Sequence, residues 1–233
     1  CVTRRQRQMC IRDSQKSGGG RMRVIVSSLV GASLLAAFAA VGSGLVSGVY
    51  EQTKEPIAAA ARAAEAKQLL EIFPHESHDN ELIDDGFVVD AEDSLLALRE
   101  PGTGYRARRG NEVTGIILPA TARDGYSGDI RLLVGIGRDG AVAGVRVLSH
   151  RETPGLGDKI ELKKSDWVLS FDDKTLGDPA AEKWAVIKDG GEFDAFTGAT
   201  VTPRAVVAAV KSAMEYSKNN RSALFEIREA NKS

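Results

Sequence analysis

The sequence predicts an α+β protein: a single N-terminal transmembrane helix, then a domain with a mainly antiparallel sheet flanked by helices. Three observations predict it. Val24 to Tyr50 is 27 residues without a charge, and a helix needs only about 20 apolar residues to cross hydrocarbon. From Val113 onward, short apolar runs alternate with turn residues, the pattern of hairpin-connected strands. Near the C-terminus, Val206, Val207, Val210, Ala213 and Met214 share one face at helical spacing. Strands and helices do not alternate regularly, which argues against a parallel sheet.

Composition narrows the function classes. The chain has 233 residues, 42% hydrophobic and 27% charged, which excludes wholesale disorder. Its formal net charge of -1 is unevenly spread. Residues 1–21 hold six basic side chains and one acid, whereas residues 51–233 hold 24 basic and 31 acidic ones. An acidic downstream domain gives no footing for nucleic acid, which needs a basic face. Both cysteines, Cys1 and Cys10, fall in the first ten residues. The rest of the chain therefore has no disulfide, no cysteinyl iron–sulfur cluster, no C-x-x-C-H haem site and no zinc knuckle. With only His75, His78 and His150, a protein-built transition-metal site is not expected. Redox chemistry here would need an organic cofactor.

Taken in order, residues 1–21 show no hydrophobic period and end in Ser17-Gly18-Gly19-Gly20-Arg21, just before Met22. They read as a non-native or disordered leader. Residues 22–50 form the anchor. A cleaved signal peptide is the alternative, since Ala37-Phe38-Ala39 fits a cleavage site, but its apolar region is usually only about 7–15 residues. Basic residues crowd the N-terminal side of the span, so the N-terminus is expected in the cytoplasm and residues 51–233 outside it. In a bacterium that is the periplasmic side of the inner membrane.

Residues 51–80 read as a juxtamembrane helix. Lys54 to Phe73 is rich in Ala, Glu and Lys, and Pro74 stops it. The folded domain is expected over 81–220, with a tail at 221–233. Residues 74–112 read as acidic and irregular, broken by Pro101-Gly102 and Gly104. Val113–Leu118, Ile130–Ile136 and Val142–Leu148 read as strands, the last two joined by a turn at Asp139-Gly140. Trp184–Ile187 is another short apolar run, closed by Asp189-Gly190-Gly191. Thr202 is expected to cap the C-terminal helix, with Pro203 as its first residue.

Two segments could carry chemistry. In Asp194-Ala195-Phe196-Thr197-Gly198-Ala199-Thr200-Val201-Thr202-Pro203, three hydroxyls sit on small-residue backbone just before a helix start. A helix N-terminus offers unpaired N–H groups and partial positive charge, which suits phosphate, and Arg204 is available as a counter-charge. Read alone, the same residues also make an ordinary capped turn. The second segment runs from His150 to Glu161. Pro154, Gly155 and Gly157 make a tight loop whose backbone can lie against a flat ligand, and His150, Glu152 and Thr153 offer polar contacts. By itself it also reads as a turn with a structural histidine. Trp167 and Trp184 read as packing residues, and Lys163 and Lys164 as a solvated face.

Together the segments resemble a known family. Asp194, Thr197, Gly198, Ala199 and Thr200 fit Asp-x-x-Thr-Gly-Ala-Thr, the flavinylation motif of the FMN-binding domain family. The wider pattern is similar to the G subunits of Rnf ion-translocating electron-transport complexes. The matching stretches are Gly125–Ile130, Leu133–Ile136, Asp139-Gly140, His150–Glu161, Lys164–Trp167 and Phe193–Val207. The resemblance implies covalent FMN, joined through a phosphoester to Thr200 by a dedicated periplasmic flavin transferase. It implies that Gly198 and Ala199 leave room for the phosphate, and that Asp194 and Thr197 serve transferase recognition or the local turn. Thr202 belongs to the same cofactor-binding set. The loop of Glu152, Thr153, Gly155, Leu156 and Gly157, with His150, is expected against the flavin ring.

The function implied is a membrane-anchored electron carrier. It would be one member of an Rnf-type complex that couples electron transfer between ferredoxin and NAD to ion translocation, with the other membrane subunits as partners. No independent substrate turnover is expected, since no nucleophile–base pair or carboxylate dyad is supported by spacing. No G-x-G-x-x-G follows a strand, which agrees with a protein that does not bind NAD itself. Two alternatives stay open on sequence: the C subunit of the sodium-translocating NADH:quinone reductase, and a non-redox anchored interaction domain.

Overall fold

The computed structural model describes residues 17–226. Residues 1–16 of the expected leader, with both cysteines, and residues 227–233 of the expected tail lie outside the described residues. The chain divides after Ala61 into two compact units.

The first helix, α1, runs over Ser17–Ile72. It begins earlier than expected: Ser17 to Arg21 are helical, because adding residues to an existing helix costs far less than nucleating one. Described side chains from Ile25 to Ala61 are all exposed, Leu35, Phe38 and Val46 among them. An uncharged run of 27 residues is about 40 Å of helix at about 1.5 Å per residue. It is long enough to cross a membrane.

From Arg62 the chain is a folded domain built on one five-stranded antiparallel sheet in the order β1-β2-β3-β4-β5. The strands are β1 Gly86–Val89, β2 Gly102–Arg109, β3 Glu112–Ala122, β4 Ile130–Gly137 and β5 Val142–Ser149. Each pairs with its sequence neighbour, so the sheet is a meander. The predicted strands are present, with Gly140 at φ +88° turning β4 into β5. Two strands, β1 and β2, occupy the stretch expected to be irregular. Their sequence hides them. In β2, Tyr105 and Ala107 are buried on one face, but Arg106 on the other face covers the Phe87 ring, 4.3 Å from its centroid. An arginine stem fills the place of an apolar residue, so no apolar alternation appears. The Trp184–Ile187 run is not a strand; it contributes a single parallel bridge, Val186 to Phe193, between short 3-10 turns.

Alternation along β3 and β4 sends side chains to two separate cores. On one face lie Ile116, Leu118, Leu132, Val134 and Ile136. They pack against α2 (Val201–Asn219) through Val206, Val207, Val210 and Met214, and against Ile160, Phe171 and Phe193 of the long connection. The short helix α3, Arg221–Phe225, closes that face with Leu224 and Phe225. On the other face Ile117, Leu133, Tyr105 and Ala107 receive Leu69, Ile72 and Phe73 from the end of α1.

That second contact depends on missing side chains. A Cβ at Gly115 would strike the Phe73 ring, and one at Gly135 would overlap Ile72. Arg146 completes the docking by donating to the Glu71 carbonyl at 2.8 Å and to its carboxylate at 3.1 Å, satisfying an otherwise orphaned helix-end acceptor. Gly135→Ala is therefore expected to cost about 1–3 kcal/mol by overpacking, read as a lower urea midpoint with an unchanged slope.

Candidate cofactor site around Thr200

The connection between β5 and α2 builds the site. Phe193 and Phe196 are buried anchors, with Phe196 edge-on to Trp167 at 5.1 Å and Phe193 4.8 Å from Phe171. The Trp167 indole N–H donates to the Asp194 carbonyl at 2.9 Å. Between these anchors the chain turns through Phe196-Thr197-Gly198-Ala199, closed by the Ala199 N–H on the Phe196 carbonyl at 3.1 Å. Gly198 holds φ +86° in the third place of that turn, the position a type II turn reserves for glycine. The next residue but one, Thr200, stands directly before Val201, the first residue of α2. The motif thus reads as an anchor, a tip, a turn and a hydroxyl at a helix N-terminus, where partial positive charge is concentrated.

The helix starts two residues earlier than the sequence suggested. Thr202 lies inside α2 and is fully buried, so it is not the cap. Its hydroxyl donates instead to Glu152 at 2.5 Å. Glu152 is itself only 4% exposed, and its other carboxylate oxygen accepts from the Ser127 N–H at 3.0 Å. One buried carboxylate therefore ties three segments: the turn before β4, the loop after β5 and the start of α2. Gly157 permits this closeness, since a Cβ there would press on both Glu152 and the Thr202 hydroxyl.

A cleft of about 330 Å³ opens beside Thr200, within the range of small-molecule sites. It is lined by Tyr126, Glu152, Thr153, Leu156 and Gly157 on one side and by Gly198 to Thr202 on the other. Tyr126, Leu156 and Val201 leave large apolar area exposed around it.

Most of the sequence-predicted residues converge here, and some do not. Gly155 forms the loop tip at φ +77° and does not line the cleft. Asp194 and Thr197 are exposed on the turn outside it. Ala199 is half-buried, packed on the domain core. His150 also stands away from the cleft. Its Nδ1 accepts the Glu152 N–H at 3.0 Å, and its Nε2 pairs with Glu161 at 2.8 Å. Its role is to hold the base of the loop rather than to line the cleft. Arg204, the expected counter-charge, is gripped by both oxygens of Asp189 at 2.5 Å, and that guanidinium holds the Asp189 carboxyl below the usual range. The cation at Thr200 is Lys188, whose Nζ donates to Oγ1 at 2.8 Å. Lys188 carries no sequence signal, and Tyr126, although inside the matching stretch Gly125–Ile130, is not among the site residues read from it; the fold brings both to the motif.

Behind the loop, Glu161 accepts from Lys164 at 2.7 Å as well as from His150. These bonds, Lys164 first, hold its carboxyl below the ordinary range. A depressed folded value stabilises the fold above the unfolded value, and that contribution disappears as pH falls through the folded one. The stability difference between wild type and Glu161→Gln is thus expected to be larger at pH 7 than in acid that protonates the folded carboxyl, measured by urea unfolding; the pair is partly exposed, so the difference is small.

A buried-ended loop, a helix N-terminus carrying a hydroxyl and an apolar cleft beside it make the kind of domain whose site suits a phosphate-bearing aromatic cofactor. Comparison with known proteins agrees: residues 125–215 match the family model of the FMN-binding domain, and residues 24–72 match that of the RnfG N-terminal region. The chain is 52% identical over 204 residues to the G subunit of the ion-translocating oxidoreductase complex of Pseudomonas aeruginosa (strain UCBPP-PA14), covering 88% of this chain and 95% of that one. The corresponding protein of Vibrio atlanticus is 46% identical over 82% of this chain and 91% of its own. That of Vibrio cholerae (strain ATCC 39541) is 48% identical over 78% and 87%. The chain belongs to the family of G subunits of ion-translocating oxidoreductase complexes.

Proposed function

We propose that this protein is the membrane-anchored electron-transfer subunit of an ion-translocating oxidoreductase complex, with FMN joined through its phosphate to Thr200. The supporting observation is the accessible Thr200 hydroxyl at the N-terminus of α2, beside Lys188 and the cleft. The chain's residues fit the group. Thr200 holds the phosphate, Lys188 and the helix N-terminus balance its charge, and Leu156, Tyr126 and Val201 offer apolar surface to an aromatic ring. Bound FMN supplies reversible electron uptake. The protein keeps it in place permanently, because an ester at Thr200 prevents loss of a cofactor outside the cytoplasm.

In this reading the domain lies on the periplasmic side of the bacterial inner membrane, held by the uncharged part of α1. A periplasmic flavin transferase matures it. The other membrane subunits of the complex are its partners, and the complex couples electron transfer between ferredoxin and NAD to ion movement. The test is the intact mass of the protein made in a host with an active flavin transferase. A gain of one FMN less water is expected. No gain, with a control protein flavinylated in the same cells, would overturn the attachment.

A further inference from the structure

We propose that Lys188 is the resident counter-charge of the Thr200 phosphoester: it fixes the hydroxyl for transfer and neutralises the phosphodiester afterwards. This rests on the reading of Thr200 as the attachment residue. Among the described residues, the Lys188 ammonium is the one side chain that hydrogen-bonds Thr200 Oγ1. Among the described residues it makes no ion pair of its own with a carboxylate. The other nearby cation, Arg204, is already neutralised by Asp189. With Asp189 engaged by Arg204, Lys188 has positive charge to offer at this helix start, and a phosphodiester would place one negative charge on the non-bridging oxygens of the phosphorus bonded to Oγ1.

The position of Lys188 is built into the fold. Ile187–Asp189 is one turn of 3-10 helix, ended by Gly190 at φ +84°. Gly191 follows against the Ala185 backbone, where a Cβ could not fit. The bridge from Val186 to buried Phe193 pins the turn to the core. Two adjacent side chains are thereby sent to two different targets, Lys188 to Thr200 and Asp189 to Arg204. The run Lys188-Asp189-Gly190-Gly191 thus belongs to the attachment site, although it lies outside the recognised motif.

The transfer balances simply. A phosphoanhydride of FMN is the donor, brought by the transferase. An Oγ1–P bond forms, the anhydride P–O bond breaks, the departing phosphate takes the electron pair, and the hydroxyl proton passes to a base on the transferase. Among the described residues no carboxylate or imidazole contacts Oγ1, so the base is assigned to the transferase. Lys188 occupies one lone pair of Oγ1, which fixes the rotamer and turns the hydroxyl proton outward. A charge-assisted contact of this kind is worth roughly twice a neutral one.

The experiment is a time course of intact mass during flavinylation by purified transferase, on wild type, Lys188→Met, Lys188→Arg and Thr200→Val. Lys188→Met is expected to load about tenfold more slowly, the equivalent of about 1.4 kcal/mol. Lys188→Arg is expected to recover most of the rate, since it restores the charge. The phosphorus-31 resonance of loaded Lys188→Met, driven to completion, is expected to shift from that of loaded wild type. Loading of Lys188→Met at the wild-type rate with an unshifted resonance would overturn the role of Lys188 alone. Absence of mass gain in wild type, with the transferase active on a control, would overturn the attachment at Thr200 and the role of Lys188 with it.

Discussion

If FMN is esterified to Thr200 as proposed, Thr200→Val is expected to lose all covalently held FMN while the domain remains folded. Valine keeps the branched shape of threonine and removes only the hydroxyl, so the substitution isolates the attachment chemistry. Thr200 is half-buried and its side chain is bonded to one exposed lysine. The expected loss of stability is accordingly within about 1 kcal/mol, far too small to unfold a domain of this size. The readout is flavin absorbance and intact mass after denaturation, which removes anything held without a bond. Retention of flavin by denatured Thr200→Val would place the attachment elsewhere. Thr202 is a poor candidate for that, since its hydroxyl is fully buried and engaged by Glu152. Thr197 is exposed at the turn tip, so flavin kept by Thr200→Val but lost when Thr197→Val is added to it would place the bond at Thr197.

The second large effect is expected from Glu152→Ala. The Glu152 carboxylate is buried and accepts from both the Ser127 N–H and the Thr202 hydroxyl. Its removal strands the buried Thr202 hydroxyl, at a cost of about 1–3 kcal/mol, whereas the N–H of exposed Ser127 can turn to water. The expected loss is about 2 kcal/mol, measured as a drop in urea midpoint. Flavin loading is expected to fall with it, because the carboxylate holds the 152–157 loop to the start of α2 and so sets the cleft's two walls. Glu152→Gln is expected to do less harm, keeping one acceptor. A wild-type midpoint in Glu152→Ala would show that these bonds are replaced by water at no net cost.

Much of this was legible in the chain itself. The uncharged run Val24–Tyr50 marks a helix long and apolar enough to span a membrane, because an apolar helix is the form in which about twenty or more such residues satisfy their backbone in lipid. Three strands and α2 follow from hydrophobic period, and the attachment motif from its residue types. The order of segments pointed to the family to which the chain belongs. The strands β1 and β2 were not legible: in β2 arginine stems and glycines stand where apolar residues would mark the period, and β1, Gly86-Phe87-Val88-Val89, is too short to show one.

The tertiary structure alone decided the division of labour within the site. Sequence placed Thr202 as a cap, Arg204 as the counter-charge and His150 against the ligand. The fold gives Thr202 to Glu152, Arg204 to Asp189 and His150 to Glu161. Lys188 meets the Thr200 hydroxyl and Tyr126 lines the cleft instead. The physical reason is that a motif specifies local backbone, which short-range sterics and hydrogen bonds determine. Which polar side chain meets which is a long-range matter, set where buried partners such as Glu152 and Thr202, fifty positions apart, must satisfy one another.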